Sequence, residues 1–272
     1  MTVVPASSAA PTLAAVAAAS GAKCHIQLGY WKIRGLGSNL KYQLAYSNVP
    51  YKMIEYEQGD ESTGFSKQCW FDVKWNMGMS FPNLPYLQVV SEGGDGASEK
   101  TSTFKISETQ AIHQYLAAKF APHLLGQTPE EAAELNELFG VLEAVKNTCT
   151  GVCYRAGAAR ETIMENCEPG FKRMEDFLKS ESAGSGGSSA RDFLTGLEPK
   201  WIDFYFLELL ERFNWLLDDQ LAQKYPVLGA YRARVASLNG VAKQLEAELA
   251  LTFNNKHAPL NGKAFLLKTR TC

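Results

Sequence analysis

The chain has 272 residues, enough for one large domain or two smaller ones. Its 46% hydrophobic and 21% charged residues are ordinary for a globular protein, and a net charge of −2 argues against a nucleic-acid binder that works through bulk positive charge. No apolar run approaches the roughly 20 residues that a membrane-spanning helix needs.

The first 24 residues are predicted to be a disordered tail rich in alanine and serine, with Lys23 as its only charged side chain. They lack the basic start and apolar centre of a secretory signal and the arginines of a mitochondrial presequence. We therefore expect a cytoplasmic protein. The alternative is that this segment is a plastid-targeting sequence.

The periodicity of residues 25–120 predicts alternating strands and helices. In chain order we expect a strand over 25–31, a helix from Ser38, a strand over 49–56, an irregular connection over 58–79, a hairpin of 86–90 and 104–107, and a helix over 109–117. This order is the thioredoxin-like arrangement, an α/β domain with a mixed four-stranded sheet and helices on its faces.

The remaining chain is predicted to be an all-helical domain, 129–272, joined by a linker over 121–128. Helically spaced apolar stripes favour two amphipathic helices, formed by Leu135, Leu138, Phe139, Leu142 and Val145 and then by Phe171, Met174, Phe177 and Leu178. The strongly apolar segment 201–217 is expected to be the buried central helix. The Gly/Ser-rich loop 180–190 and the hairpin loop 91–103 are expected to be solvated.

The six cysteines are scattered through a chain that can build its own core, which predicts free thiols rather than a disulfide framework. Cys149 and Cys153 lie four residues apart on one face of a predicted helix. No histidine or second cysteine pair is near them in the sequence. We interpret both as small core residues and predict no metal site.

Two segments carry most of the functional information. Residues 28–36 read LGYWKIRGL, a strand that ends in a tyrosine before a glycine-bearing turn. Residues 80–87 read SFPNLPYL, a loop that enters a strand through Pro85, where a cis peptide bond is common. A thioredoxin-like domain without Cys-X-X-Cys after its first strand cannot run dithiol exchange by the usual route, so the thiol must come from another molecule.

Both segments closely resemble the mu-class glutathione transferases, and the resemblance covers most of residues 25–272. Residues 57–68 fit the extended loop of that class. The resemblance implies a homodimer that uses glutathione as co-substrate, without a metal, and attacks an electrophilic carbon of an apolar substrate. Tyr30 would donate a hydrogen bond to the glutathione thiolate, and Tyr154 would donate a proton to the electrophile. Packing roles for the two tyrosines are the alternative.

The resemblance also implies a set of contacts to glutathione. The glycyl carboxylate would meet a face formed by Lys67, Trp70 and Lys74, and the γ-glutamyl end would meet Glu108 and Thr109, where a helix N-terminus favours an anion. The loop that enters a strand through Pro85 would contact glutathione through the main chain of Leu84. The remaining residues implied to contact glutathione are Trp31, Asn83 and Pro85. Phe81 would enter a pocket of the partner subunit. A solvated face at Lys67–Lys74 and a simple N-cap at Thr109 are the alternatives.

Three departures from the family pattern motivate a second hypothesis, a non-catalytic structural subunit or carrier of hydrophobic ligands. Ala144 stands where the family often has an aspartate that reaches the neighbouring subunit. Lys200 replaces the Ser/Thr of a helix capping box, at an expected cost of about 1 kcal/mol. The loops 91–103 and 180–190 are longer than usual.

A third hypothesis is a glutathione-dependent isomerase or peroxidase that uses the same residues. Generic apolar side chains are expected to line the electrophile pocket.

Overall fold

The computed structural model describes residues 24–91, 102–180 and 191–262. The first half of the chain forms a four-stranded mixed sheet with the order β2-β1-β3-β4. β2 runs parallel to β1, whereas β3 is antiparallel to β1 and β4 is antiparallel to β3. The strands are β1 (Cys24–Trp31), β2 (Lys52–Tyr56), β3 (Tyr86–Ser91) and β4 (Ser102–Ser107).

Three helices accompany this sheet: α1 (Ser38–Tyr46), α2 (Gln68–Lys74) and α3 (Thr109–Phe120). Fully buried leucines of β1, β3 and α1 pack with Ile112 of α3 into a single apolar core. The predicted α/β arrangement is therefore confirmed.

Several sequence-based strand boundaries are wrong. β4 begins at Ser102 rather than at Phe104, within the segment predicted as a loop. Cys24, assigned to the tail, pairs with Ser91 as the first residue of β1. β2 begins at Lys52 rather than at Val49, because the Val49 N–H donates to the Leu44 carbonyl at the end of α1 and Pro50 has no N–H to offer a neighbouring strand. The predicted tail over 1–23 and most of the two long loops, 92–101 and 181–190, lie outside the described residues.

The second half of the chain is helical, as predicted. After a short 3-10 turn (Pro122–Leu124) the helices are α4 (Pro129–Cys153), α5 (Arg160–Lys179), α6 (Trp201–Leu216), α7 (Leu221–Lys224), α8 (Pro226–Ala236) and α9 (Val241–Glu248). Thr128 caps α4 by accepting the Glu131 N–H, and Pro129 occupies the first helical position, which suits its missing N–H. Every residue of α6 is buried, so the predicted central helix is confirmed.

Two buried ion pairs join the sheet-bearing half to the helices. The Arg34 guanidinium donates to both carboxylate oxygens of Glu208 on α6, with Nη2–Oε2 at 2.8 Å and Nε–Oε1 at 3.1 Å. The Lys41 ammonium on α1 lies 3.1 Å from Glu248 on α9. Removing one member would leave a buried charge without compensation, so these pairs fix how α1 sits against the helical half.

The cysteines that the structure describes form no disulfide with one another: Cys24, Cys69, Cys149, Cys153 and Cys167. The last three are buried as core residues. The interpretation of Cys149 and Cys153 as small core residues is thereby confirmed. Across the described ranges, no helix has the length and apolar character needed to cross a membrane.

Candidate active site

Tyr30 is the penultimate residue of β1, and its ring is buried beneath the turn that follows. Its hydroxyl oxygen accepts the Leu36 N–H at 2.9 Å. Burial raises the pKa of Tyr30 to about 12, with the Leu36 hydrogen bond and the charge of Arg212 acting in the opposite direction. The hydroxyl therefore stays protonated at neutral pH, and because its oxygen already accepts one bond, its proton is available to a ligand.

Glycines make the room that the Tyr30 ring needs. A Cβ at Gly35, which has a φ of +41°, would lie 2.6 Å from the Tyr30 hydroxyl oxygen. A Cβ at Gly37 would lie 2.6 Å from the Tyr30 ring. Any larger residue would push the tyrosine aside, so the sequence Arg34-Gly35-Leu36-Gly37 is needed for the position of the hydroxyl.

A cavity of about 220 Å³ lies beside Tyr30, between β1 and helices α4 and α6. The structure brings four of the predicted site residues to its wall: Tyr30, Trp31, Leu84 and Tyr154. Tyr154 follows α4 directly, and its hydroxyl accepts the Asn255 N–H at 3.1 Å. The proton of Tyr154 is therefore also free to be donated.

The loop before β3 lies against the start of α3. The Leu84–Pro85 peptide bond is cis. The Asn83 side-chain amide donates to Glu108 at 3.3 Å, and Thr109 is the buried first residue of α3. The Leu84 N–H, expected to face a peptide ligand, instead donates to the side-chain oxygen of Asn83 at 2.9 Å. A ligand that paired with this N–H would have to displace that side chain.

The three residues predicted at the glycyl carboxylate do not converge on the cavity. Trp70 is buried against Tyr86, with their ring centroids 6.1 Å apart. The Lys74 ammonium lies 4.6 Å from the ring centroid of Trp75, an exposed residue. Partial burial, and after it the positive charge of Lys67, lowers the pKa of His257, which places Lys67 near the segment that follows α9.

Phe81, predicted to contact a partner subunit, projects from the loop with 80% of its surface exposed. Its carbonyl accepts the hydroxyl of Ser107 at 2.5 Å, which holds the main chain of the loop against β4. The side chain itself is exposed to solvent.

The cavity wall differs from the apolar lining expected from the sequence. Besides apolar residues it includes polar and charged groups from α4, α6 and the segment after α9: Lys146, Asn147, Thr150, Tyr205, Glu208, Arg212, Asn254 and Asn255. Sequence reasoning missed Arg212 and its neighbours. The signal available was the presence of Glu208, Glu211 and Arg212 inside an apolar helix, because charged residues in a buried helix need partners.

The capping site of α6 also differs in detail from the family pattern. The Asp203 carboxylate accepts the Lys200 N–H at 2.7 Å, which is the carboxylate half of a capping box. The Asp203 N–H bonds at 3.0 Å to the main-chain carbonyl of Lys200. The Lys200 ammonium turns away, donating to the carbonyls of His123 and Leu125 at 3.0 and 3.3 Å and pairing with Glu131 at 3.1 Å.

With this geometry established, comparison with known proteins gives one consistent class. Residues 143–248 match the family model of the glutathione S-transferase C-terminal domain. A glutathione S-transferase of Tyrophagus putrescentiae is 29% identical over 87% of this chain and 96% of its own length. A crystal structure of the glutathione S-transferase Blo t 8 superimposes with a TM-score of 0.68, at 19% identity over 86% of this chain and 98% of that one. The fold is therefore that of the glutathione S-transferases.

Several of the relatives that this chain resembles are named as mu-class enzymes. The class-mu 26 kDa isozyme 51 of Fasciola hepatica is 29% identical over 82% of this chain and 88% of its own length. Human glutathione S-transferase Mu 3 is 27% identical over 87% of this chain and 95% of its own length. The resemblance to mu-class glutathione transferases read from the two motifs is thus confirmed.

Similarity of fold does not by itself identify the reaction that a protein catalyses. The prostaglandin synthase D of Nilaparvata lugens superimposes with a TM-score of 0.60, at 19% identity over 82% of this chain and 98% of that one. A protein named for a different reaction thus shares the fold. The reaction must be argued from the site of this chain.

Proposed function

We propose that the protein is a glutathione transferase in which Tyr30 activates the glutathione thiol for attack on an electrophilic carbon. The observation that carries the proposal is the Tyr30 hydroxyl, which accepts the Leu36 N–H and keeps its own proton for a sulfur atom in the adjacent cavity. A hydrogen bond to the thiolate stabilises the charged form more than the neutral one. The thiol pKa falls as a result, and each unit corresponds to about 1.4 kcal/mol.

Glutathione would lie along the loop before β3, with its ends held by charge. Thr109, at the N-terminus of α3, would bind the γ-glutamyl carboxylate, and Glu108 would pair with the ammonium. Asn83 already bonds to Glu108, so the loop and the helix start form one surface. At the other end, Lys67 and Lys74 would supply charge, and Lys74 would first have to leave the ring of Trp75. Trp31, Trp70, Leu84 and Pro85 would shape the groove.

The remaining assignments concern the second substrate and the assembly. Tyr154, at the end of α4 and on the wall of the same cavity, would donate to oxygen on the electrophile. Phe81 would insert into a second copy of the chain to form a homodimer. We place the enzyme in the cytoplasm, where glutathione is available and its free thiols would persist.

The experiment compares Tyr30→Phe with Thr109→Ala. With 1-chloro-2,4-dinitrobenzene and glutathione near neutral pH, we expect Tyr30→Phe to lower kcat by about 10–100-fold. That range corresponds to one charge-assisted hydrogen bond of about 1.5–3 kcal/mol. The KM for glutathione should change little, because charged groups elsewhere provide the binding. The pH dependence should move to higher pH, since the thiol ionises less readily.

Thr109→Ala is the matched control, because it should raise the KM for glutathione and leave kcat nearly unchanged. Retention on immobilised glutathione and elution with free glutathione test binding independently of turnover. Wild-type turnover in the Tyr30→Phe variant would contradict the catalytic assignment. Failure of the wild-type protein to bind glutathione would contradict the proposal as a whole and favour the non-catalytic structural role.

A further inference from the structure

Arg212 occupies an unusual place for a cation. It lies on α6, the central helix, is 4% exposed, and forms part of the wall of the cavity beside Tyr30 and Tyr154. Its guanidinium donates to two neutral acceptors: the side-chain oxygen of Asn254 at 2.5 Å and the main-chain carbonyl of Phe253 at 3.2 Å. A guanidinium has five N–H donors, so donors remain for a further acceptor.

The carboxylates around Arg212 are matched to other cations. Glu208 accepts hydrogen bonds from Nε and Nη2 of Arg34, although its pKa also responds to the charge of Arg212. Glu211 pairs with Arg232 at 2.5 Å and lies 3.7 Å from Arg34. Among the described residues no carboxylate pairs with Arg212.

The third carboxylate near the cavity, Glu143 on α4, pairs with Lys146 at 2.7 Å and accepts the hydroxyl of Tyr205. Four cations (Arg34, Lys146, Arg212 and Arg232) thus face three carboxylates (Glu143, Glu208 and Glu211). Arg212 and Lys146 both line the cavity, and of these two it is Arg212 that has no carboxylate partner among the described residues. Buried charge of one sign favours a ligand group of the opposite sign.

A second group on the same wall supports an acceptor-bearing ligand. The hydroxyl oxygen of Thr150 is buried, and within the described part of the chain it has no hydrogen-bond partner. Thr150 lies one helical turn before Tyr154 and lines the same cavity. A hydroxyl in that state is an unused donor and acceptor.

We infer that this cavity selects electrophiles that carry a carboxylate, with Arg212 binding the carboxylate and Thr150 adding a hydrogen bond. The inference rests on the proposed function and names the substrate class of its site. For an α,β-unsaturated ketone with an acid group, the glutathione sulfur forms a bond to the β-carbon. The π electron pair moves onto the carbonyl oxygen as an enolate, and the α-carbon then takes a proton, which balances the one lost by the thiol.

The test uses two electrophiles that differ at one group, a carboxylate in trans-4-(4-carboxyphenyl)-3-buten-2-one and an uncharged ester in its methyl ester. With the wild-type protein and saturating glutathione, after correction for the uncatalysed rates, we expect kcat/KM to be at least tenfold higher for the acid. Equal values for the acid and the ester would overturn the inference. This comparison needs no variant, so misfolding cannot obscure it.

Variants then locate the effect. Arg212→Met should reduce the acid-to-ester ratio to about one, and Arg212→Lys should keep part of it, because lysine retains charge but not the guanidinium fork. Thr150→Val should lower the ratio by a smaller factor. Arg155→Met, at an exposed arginine outside the cavity, is the control that should keep the wild-type ratio.

The outcomes also separate this inference from the proposed function. Equal losses for the acid and the ester in Arg212→Met would mean that Arg212 holds the segment 253–254 or stabilises the thiolate, and would overturn the inference. Wild-type turnover of 1-chloro-2,4-dinitrobenzene without preference for the acid would leave the proposed function standing. Absence of turnover with every electrophile would remove both.

Discussion

At the scale of single residues, the site depends on hydroxyl groups whose oxygens are already occupied by main-chain donors. The Tyr30 oxygen accepts the Leu36 N–H and the Tyr154 oxygen accepts the Asn255 N–H. Each bond orients a hydroxyl and leaves its proton directed elsewhere. Both tyrosines line one cavity, and in the proposed mechanism one would donate to the sulfur and the other to the second substrate.

Tyr154→Phe is expected to act selectively on substrates. With an epoxide, negative charge develops on oxygen in the transition state, and loss of the donor should lower kcat/KM by about tenfold or more. With an aryl chloride the leaving chloride needs no such donor, and the rate should scarcely fall. Kinetics with one electrophile of each kind provide the comparison, and Tyr115→Phe, outside the cavity, is the control. Equal losses with both electrophiles would make Tyr154 a packing residue.

His113 gives the molecule an acid-sensitive contact. It is buried between α3 and α1, where its ring nitrogens bond to Gln43 and, at 3.0 Å, to Asn39. Burial lowers the pKa of His113 to about 3. Because an unfolded histidine titrates near 6.5, the unfolded chain binds the extra proton between about pH 6.5 and 3, and stability falls as the pH drops through that window.

The expected contribution of His113 is a loss of about 2 kcal/mol in the free energy of unfolding between neutral pH and pH 5. Denaturant unfolding at both pH values should show that the free energy of unfolding falls less in His113→Gln than in the wild type, by about 2 kcal/mol. His25→Gln, at an exposed position of β1, is the control. The same pH dependence in His113→Gln and the wild type would contradict the assignment.

At the scale of secondary-structure elements, the start of α6 shows how a missing cap can be replaced by distant contacts. Lys200 cannot accept the N3 N–H as serine or threonine does. Its ammonium instead bonds to the carbonyls of His123 and Leu125 and to Glu131, which ties the segment before α4 to the central helix. The sequence predicted only the loss.

Lys200→Ser is therefore expected to lower stability, although it restores the family cap. The gain of about 1 kcal/mol at the helix start is smaller than the loss of several charge-assisted bonds at a buried site. Denaturant unfolding should give a decrease of about 1–2 kcal/mol. Lys200→Met should lose about 1 kcal/mol more, because it has neither the ammonium nor a cap. A Lys200→Ser variant more stable than the wild type would refute this account.

At the scale of the whole molecule, the exposure of Phe81 is the observation that supports the proposed homodimer. An aromatic side chain with 80% of its surface in solvent forgoes about 1.5–3 kcal/mol that burial would provide. Insertion into a second copy would recover that energy. The loop that carries Phe81 is held to β4 by Ser107 and is thus ordered before association.

We expect sedimentation velocity to show a dimer for the wild type and a shift toward monomer for Phe81→Ser, with the dimer Kd raised roughly 10–100-fold. Leu197→Ser is the matched control, because Leu197 is 64% exposed but lies in the helical half of the chain. An unchanged dimer in Phe81→Ser would mean that the aromatic contributes nothing to the interface.

The sequence by itself determined the features that are local. The order of strands and helices, the buried α6, the cis-prone Leu84–Pro85 step and the placement of Tyr30 at the end of β1 follow from periodicity, turn residues and short motifs. Each of these depends on residues that are close in the chain. The failed strand boundaries, at Cys24, Val49 and Phe104, are errors of one to three residues at strand ends.

The tertiary structure alone decided the features that join distant residues. Arg212 meets Asn254 across 42 positions, Lys200 reaches His123 across 77, and Arg34 pairs with Glu208 across 174. Nothing in a local pattern specifies which buried charge finds which partner, because that depends on how α1, α4, α6 and the segment after α9 pack. The charged wall of the cavity, and with it the kind of electrophile that we propose, follows from that packing.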